Sequence, residues 1–470
     1  MLSQRINNLP ISATLAMAAK ARELKSQGID IISLSLGEPD FDPPDFVKDA
    51  AKKAIDDNYN SYPPVDGYAD LKTTISNKFK RDNNLDYKPS QIVVSTGAKQ
   101  SIANVCMVLL DVNDEVILPA PYWVSYSAIS ILAEANPIIV PSSIESDFKI
   151  TADELENKIT SKTKLIIINS PNNPSGSIYN ENEYRAIAKV LEKYPNIYII
   201  SDEIYEHISY GKKVFSFASI PEMYDRTITV NGVAKAFAMT GWRIGYIGAP
   251  EWIAKACNKM QGQITSGANS IAQRATIAAL EASPKKIGYM VSEFKKRREI
   301  ILNLLSKIQG FKTNVPEGSF YVFPDISYFY GKTIKNKKIN DSNDPIASGS
   351  PRQLFGDHTD KLAAVVVRNL TKPTPYVLEA KYSFGPYLTD NERRANARKL
   401  FDAYDKAFGG CNMAEHFWGP ELTWNIYCGY DSYADWATKV EALSTIHEEE
   451  LADTKLDVLD HSDHLMVRVK

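Results

Sequence analysis

The chain has 470 residues, 44% of them hydrophobic and 24% charged, with 54 Lys+Arg against 57 Asp+Glu and a formal net charge of −3. This composition excludes a disordered, collagenous or mini-protein class and gives no electrostatic basis for binding nucleic acid or an anionic membrane, so small molecules are the expected partners. The length suits about two to four domains. Cys106, Cys257, Cys411 and Cys428 are scattered and form no Cys-x-x-Cys pair, and neither a signal-like N-terminus nor an apolar run of ~18 residues occurs, which predicts a cytoplasmic protein outside the membrane.

From residue 91 the sequence alternates short β-branched runs with helical stretches. QIVVS (91–95), EVILP (115–119), PIIVP (137–141), LIIIN (165–169), IYIIS (197–201) and TITVN (227–231) predict strands of a mainly parallel sheet, because strands covered on both faces read as continuous apolar runs. Between them lie amphipathic segments such as 180–193, where Tyr184, Ile187, Ala188 and Leu191 recur at helical spacing. The expected fold class is α/β, a sheet with helices layered on both faces. Residues 331–351 are polar and turn-rich and predict an exposed loop or insertion. Thr389-Asp390-Asn391-Glu392 then forms a capping box for a helix with Ala397, Leu400, Phe401, Tyr404 and Phe408 on its apolar face, broken by Gly409-Gly410. Residues 409–470 hold an aromatic stretch and a further amphipathic helical pattern, with Tyr433, Trp436, Ala437, Val440 and Leu443 on one side.

Ligands of open parallel sheets bind beyond the carboxyl ends of the strands, where loops and helix N-termini converge. Polar clusters follow nearly every predicted strand: Ser95 to Lys99, Pro121-Tyr122-Trp123, Asn169 to Pro174, Asp202 to Tyr205, and Asn231 to Lys235. Any one of these is ordinary turn composition, whereas together they predict a single site. The set suits a pyridine-aldehyde phosphate, which needs an amine for a Schiff base, an acid at the ring nitrogen, donors for phosphate and a flat surface beside the ring. Lys235, flanked by small and apolar residues, could be desolvated to a nucleophilic free amine, and the planar fork of Arg243, eight residues later, suits a phosphate. Spacing alone leaves a surface lysine and a structural arginine equally open. Asp202 could pair with a pyridinium nitrogen and Tyr205 could reach the ring oxygen. Gly97-Ala98-Lys99 opens a helix whose amides suit an anion, and Trp123 offers a stacking plane. A helix cap or turn for Asp202 and core packing for Trp123 are the plainer alternatives.

LSLGEPDF (34–41), STGAKQ (95–100), PAPYWVSY (119–126), NSPNNPSG (169–176), SDEIYEH (201–207) and AKAFAMTGWRIGY (234–246), in this order, resemble the class I, fold-type I pyridoxal-phosphate aminotransferases of the bacterial aspartate aminotransferase subgroup. The resemblance implies a large domain with a mainly parallel sheet and a smaller α/β domain built from both chain ends. It further implies pyridoxal 5'-phosphate as cofactor and ping-pong transfer of the amino group of aspartate to 2-oxoglutarate. Lys235 would be the Schiff-base lysine and the base that moves the α-proton. Asp202 would hold the ring nitrogen, Tyr205 and Asn173 the ring oxygen, Trp123 the ring face, and Arg243 with the amides of Gly97 and Ala98 the phosphate. Gly37 would allow close approach of substrate, and Lys99, beside the cofactor, matches a lysine used near a distal carboxylate. Tyr62, in NSYPPVDGY, matches a tyrosine that enters the neighbouring subunit's site, which implies a homodimer.

The chain also departs from that pattern. Where the family carries Arg-x-Ser-Tyr, with the arginine on the substrate α-carboxylate, this sequence has Lys381-Tyr382-Ser383-Phe384, and Arg368 in AVVVRN is a rival. A lysine is a point charge without the two-pronged geometry. The resemblance is faint over 344–408 and absent over 409–470. It divides the chain into an arm with part of the small domain (1–44), a large cofactor domain (45–290), a small domain (291–408) and an unassigned extension (409–470). His447, His461 and His464 stand among acidic residues without metal-site spacing, so no metal is expected. Two other readings fit: an enzyme of the same cofactor acting on neutral or aromatic amino acids or as a β-lyase, and a cofactor-binding, catalytically weak protein with a C-terminal interaction module. Lys99 favours a dicarboxylic substrate.

Overall fold

Each of the six anticipated runs is a strand in the computed structural model, which describes residues 37–330 throughout, parts of the first 36 residues, and beyond 330 only Lys332, residues 438–439 and 441–442, and the strands and helix named below. They are β1 (Ile92–Ser95), β2 (Glu115–Pro119), β3 (Asn136–Val140), β4 (Thr163–Asn169), β5 (Tyr198–Asp202) and β6 (Thr227–Gly232). A strand absent from the sequence reading, β7 (Gly245–Gly248), completes a sheet of order β1-β7-β6-β5-β4-β2-β3. The pairings of β2 through β6 are parallel, while β7 runs antiparallel to both β6 and β1. Two antiparallel pairings in series return β1 to the direction of the others. The sequence GYIG has no apolar run to announce β7, because close packing demands its glycines. A Cβ on Gly245 would lie 2.1 Å from the Ala98 amide nitrogen, and one on Gly248 would lie 2.4 Å from the Tyr87 ring.

Alternate side chains of the strands feed two cores. Ile117, Ile166, Ile168 and Ile199 pack with Tyr184, Ile187 and Leu191 on one face. Val116, Leu118, Leu165, Ile167 and Ile200 pack with Ile102, Val105 and Ile253 on the other. Each such fully buried aliphatic side chain is worth about 1.5–3 kcal/mol over exposure. The helix expected at 180–193 spans Glu181–Leu191, and its start is a reciprocal cap. Asn180 Oδ1 accepts from the Glu183 amide at 3.0 Å, and Glu183 Oε2 accepts from the Asn180 amide at 2.7 Å.

The register levels the strand ends. Asn169 of β4 stands beside Asp202 of β5, and Asp202 beside Val230 of β6. The polar loops that follow therefore open on one side of the sheet.

The chain divides into two compact units, residues 1–357 and 358–470. The first also contains a short pair, β8 (Thr333–Ile334) and β9 (Lys337–Lys338). In the second, β10 (Ala363–Arg368), β11 (Tyr376–Phe384), β12 (Cys411–His416), β13 (Thr423–Tyr430) and β14 (Val458–Val467) form an antiparallel sheet of order β10-β12-β13-β11-β14. The helix Asp390–Phe408 joins β11 to β12, and its Leu400, Phe401 and Tyr404 are buried as the periodicity predicts. The order of β11 to β14 is that of a split βαβ unit with β10 added at one edge. Strands from within 409–470 thus flank β11 on both sides. Register also sets Cys411 opposite Cys428, neighbours that sequence spacing conceals. Thr389 and the pattern at Tyr433, Trp436, Ala437, Val440 and Leu443 lie outside the described residues, as does His447. Among the described residues, no helix is long and apolar enough to cross a membrane.

Candidate active site

A cleft of about 900 Å³ opens beyond the ends of β4 and β5 in the first unit. Asp202, the last residue of β5, is buried at its floor. Its Oδ2 accepts from the Tyr126 hydroxyl at 2.6 Å and its Oδ1 from the Ile204 amide at 3.2 Å. Burial pushes this carboxyl up to about 6, against the partial relief given by Tyr126, Ile204 and the charge of Lys235. Asn169, one strand over, ties down the backbone by donating to the Asp202 carbonyl at 2.9 Å.

Lys235 follows β6 by three residues and is partly buried. Burial lowers its pKa to about 8. Glu38 and Asp202 resist that shift and Arg243 assists it. Its Nζ donates to the Gly37 carbonyl at 2.6 Å and lies 5.8 Å from the ring centroids of Tyr205 and Phe320. At neutral pH and above, a useful fraction of this amine is therefore unprotonated and nucleophilic. Tyr205 is buried beside it. The Asn173 carboxamide approaches the Tyr205 hydroxyl at 3.5 Å.

A cradle for an anion adjoins these groups. The helix Ala98–Leu109 begins at Gly97, with φ of +84°, and no side chain caps its first amides. A Cβ at Gly97 would lie 2.3 Å from the Arg243 guanidinium, so only glycine lets the arginine fork lie against the helix start. Arg243 is itself in the left-handed region, φ +57°, and its Nη1 donates to the Thr240 carbonyl at 2.9 Å. Lys99 Nζ lies 4.9 Å from the Trp123 ring centroid, and its basicity is lowered by loss of hydration and by Arg243.

Gly37, Ala98, Lys99, Trp123, Asn173, Asp202, Tyr205, Lys235 and Arg243, all singled out from sequence, line one cleft, with Gly97 behind Arg243. Tyr62 does not line it and is 94% exposed. Lys381 lies in mid-strand of β11, opposite Asn425 and Ser462, and Arg368 ends β10, both in the second unit. The sequence reading missed Tyr126 and Tyr321. Tyr126 sits three residues beyond Trp123 in the motif PAPYWVSY, a spacing that was available as a signal. Tyr321, in a loop, had none.

Residues 29–340 match the family described as aminotransferase class I and II. The chain belongs to this family. The aminotransferase is 47% identical over 347 residues to a probable aspartate/prephenate aminotransferase of Rickettsia bellii, covering 73% of this chain and 87% of that protein. It is 46% identical over 337 residues to the bifunctional aspartate aminotransferase and glutamate/aspartate-prephenate aminotransferase of Petunia hybrida, covering 71% and 70%. Among solved structures it resembles the aspartate aminotransferase from Rhizobium meliloti, with a TM-score of 0.71 and 34% identity over 95% of this chain and 98% of that one. It also resembles the aspartate aminotransferase from Thermus thermophilus with maleate, at TM-score 0.68 and 39% identity over 70% and 86%.

Pyridoxal 5'-phosphate is the cofactor of this family, and the residues present fit it. Uncapped helix amides and an arginine fork form a phosphate cradle that a Cβ would fill. The buried Asp202 carboxylate takes its hydrogen bonds from a phenol and an amide, and an amine of lowered basicity lies across the same cleft.

Proposed function

We propose that this aminotransferase moves the amino group of L-aspartate, or a closely related dicarboxylic amino acid, to 2-oxoglutarate in two ping-pong half-reactions. The observation that carries this reading is the shared cleft of Lys235, Asp202 and the Gly97–Arg243 cradle. When bound, pyridoxal phosphate supplies an aldehyde and a ring that accepts electrons from the amino acid's α-carbon. Lys235 would hold the cofactor through its amine and would take and return the proton at the α-carbon, a task suited to an amine whose pKa burial lowers to about 8. Asp202 keeps the proton on the ring nitrogen, since its buried carboxylate gains most from a cation beside it. Tyr205 and Asn173 donate to the ring oxygen, and Trp123 covers the ring face. Arg243 and the amides opening the helix at Ala98 hold the phosphate.

Lys99, at the cleft and beside Trp123, meets the distal carboxylate, and Gly37 leaves room for the substrate backbone. The similar Thermus thermophilus enzyme is an aspartate aminotransferase solved with maleate, a dicarboxylate, which supports the same substrate class. Tyr62, exposed and away from its own cleft, reaches the site of a second subunit in a homodimer.

The test is to mix cofactor-loaded protein with single amino acids, without any oxo acid, and follow conversion of the cofactor to its amine form together with the products. Aspartate and glutamate should convert it. Pyruvate and ammonia from a β-substituted amino acid would instead identify a lyase, and no spectral change with any amino acid would refute the reading.

A further inference from the structure

Tyr321 has no role in the reading above, yet the hydrogen bonds of the cleft converge on it. Its Oη lies 2.7 Å from Tyr205 Oη. The Asn173 carboxamide nitrogen faces both phenols, 3.5 Å from Tyr205 and 3.4 Å from Tyr321. The two tyrosine rings meet edge to face with centroids 5.7 Å apart, and Phe320 packs on both, at 5.6 Å from Tyr205 and 4.8 Å from Tyr321. The phenol also leans on Gly37. A Cβ there would sit 2.1 Å from Tyr321 Oη, and the carbonyl of that glycine accepts from Lys235. Both phenols stay protonated through the neutral range, since burial raises Tyr205 well above the ordinary tyrosine value and pushes Tyr321 up to about 12.

Counting protons decides what this pair can do. Two hydroxyls carry two protons, and one of them occupies the bond between the oxygens. If Tyr205 donates to Tyr321, Tyr205 has nothing left to offer a ligand. If Tyr321 donates to Tyr205, the Tyr205 proton is free to meet an oxygen in the cleft. The Asn173 nitrogen only donates, so it can satisfy lone pairs on either phenol but cannot take up the proton of either. A phenol that receives a hydrogen bond is also polarised into a stronger donor.

We propose that Tyr321 is a positioning residue that donates to Tyr205 and so aims the Tyr205 proton at the ring oxygen of the cofactor. This inference rests on the assignment of Tyr205 and Asn173 to that oxygen. A proton given to the ring oxygen cancels part of the negative charge that holds a proton on the adjacent nitrogen of the lysine–cofactor link. Tyr321 therefore lowers the pH at which that nitrogen loses its proton, a change visible in the absorption band of the loaded protein.

The experiment titrates the visible band of the full-length, cofactor-loaded wild type, Tyr321→Phe, Tyr205→Phe and the double variant. Tyr321→Phe keeps the ring packing and removes only the hydroxyl, and its midpoint should rise by about 0.1 to 0.3 pH unit, because the Tyr205 bond to the ring oxygen is weakened and not lost. Tyr205→Phe should raise it further. The double variant should match Tyr205→Phe alone, because Tyr321 acts through Tyr205. Placing 3-fluorotyrosine, a more acidic phenol, at position 321 should move the midpoint the opposite way, which gives a second reading should the Phe variant fold poorly. A Tyr321→Phe midpoint unchanged from a titrating wild type overturns this inference alone, as does a double variant whose shift is the sum of the single ones. A wild type that forms no visible band overturns both this inference and the reading beneath it.

Discussion

Asp202 sits in an environment far from the one its residue type suggests. An exposed aspartate titrates near 3.8, whereas burial moves this one to about 6. The folded chain therefore binds the proton more tightly than the unfolded chain does. The stabilisation that this proton gives is complete below about pH 4 and is lost as pH rises through 6, so by pH 8 the ionised group costs about 3 kcal/mol. Cofactor-free Asp202→Asn should consequently unfold at higher urea than wild type at pH 8, with the difference closing toward pH 4. Parallel pH profiles of the two proteins would show that the carboxyl is not raised. In the loaded enzyme the balance reverses, because a protonated ring nitrogen offsets the carboxylate, and the same substitution lowers kcat. Asp202 was legible in the sequence because a polar residue closing a buried strand is conspicuous. Tyr321 was not, since its partner Tyr205 lies 116 residues away and nothing in either local pattern refers to the other.

Within β5 and the turn that follows it, SDEIYEH divides its side chains between two tasks. Asp202 and Tyr205 line the cleft, while Glu203 and Glu206 enter a buried charge network on Lys78. Lys78 is fully buried. Its ammonium pairs with Glu206 and donates to Asn83 Oδ1 at 2.6 Å. Asn83 in turn donates to Glu203 at 3.0 Å and to Glu206 at 2.6 Å. The Ser201 and Ser216 hydroxyls complete Glu203 at 2.8 and 2.7 Å. Burial and the charge of Glu206 push Glu203 up to about 7. For Glu206, burial is outweighed by Lys78 and His207, which hold it low. A π-helical turn, Phe79–Asn83, closed by Asn84 at φ +55°, carries Asn83 to this position. Lys78→Met should leave Glu206 buried without its cation and cost about 3–5 kcal/mol in urea unfolding, with partial recovery on adding Glu206→Gln. A cost near zero would show that the ion pair does not hold the turn. The apolar runs of the six strands were readable because burial on both faces leaves them no polar positions. A lysine in NKFKRD reads as surface charge, and only the fold reveals that it is core.

At the scale of the molecule, all the residues proposed to hold the cofactor lie in the first unit, and Tyr62 alone among them stands away from the cleft and its cradle. Six of the seven strands of that unit's main sheet were readable from sequence. The strand pattern of the second was not, because strands such as Tyr376–Phe384, Thr423–Tyr430 and Val458–Val467 mix polar and apolar residues without a continuous apolar run and declare themselves only through pairing. The exception among the cofactor residues gives the sharpest prediction about assembly. Tyr62 is 94% exposed and lies away from its own cleft, so as a site residue it must serve another copy. In a two-fold dimer each site then combines Lys235 of one protomer with Tyr62 of the other. Lys235→Ala chains alone have no active amine, and Tyr62→Ala chains alone lack the tyrosine in both sites. In a hybrid, the site that keeps Lys235 receives its tyrosine from the Lys235→Ala chain and is intact, while the other site carries both defects. Random pairing of equal amounts makes half the dimers hybrid, each with one intact site. Co-expression should therefore restore about a quarter of the wild-type activity, well above either variant alone. Activity that stays at the average of the two single variants, with hybrids demonstrated by differently tagged chains, would show that Tyr62 does not cross to the neighbouring site.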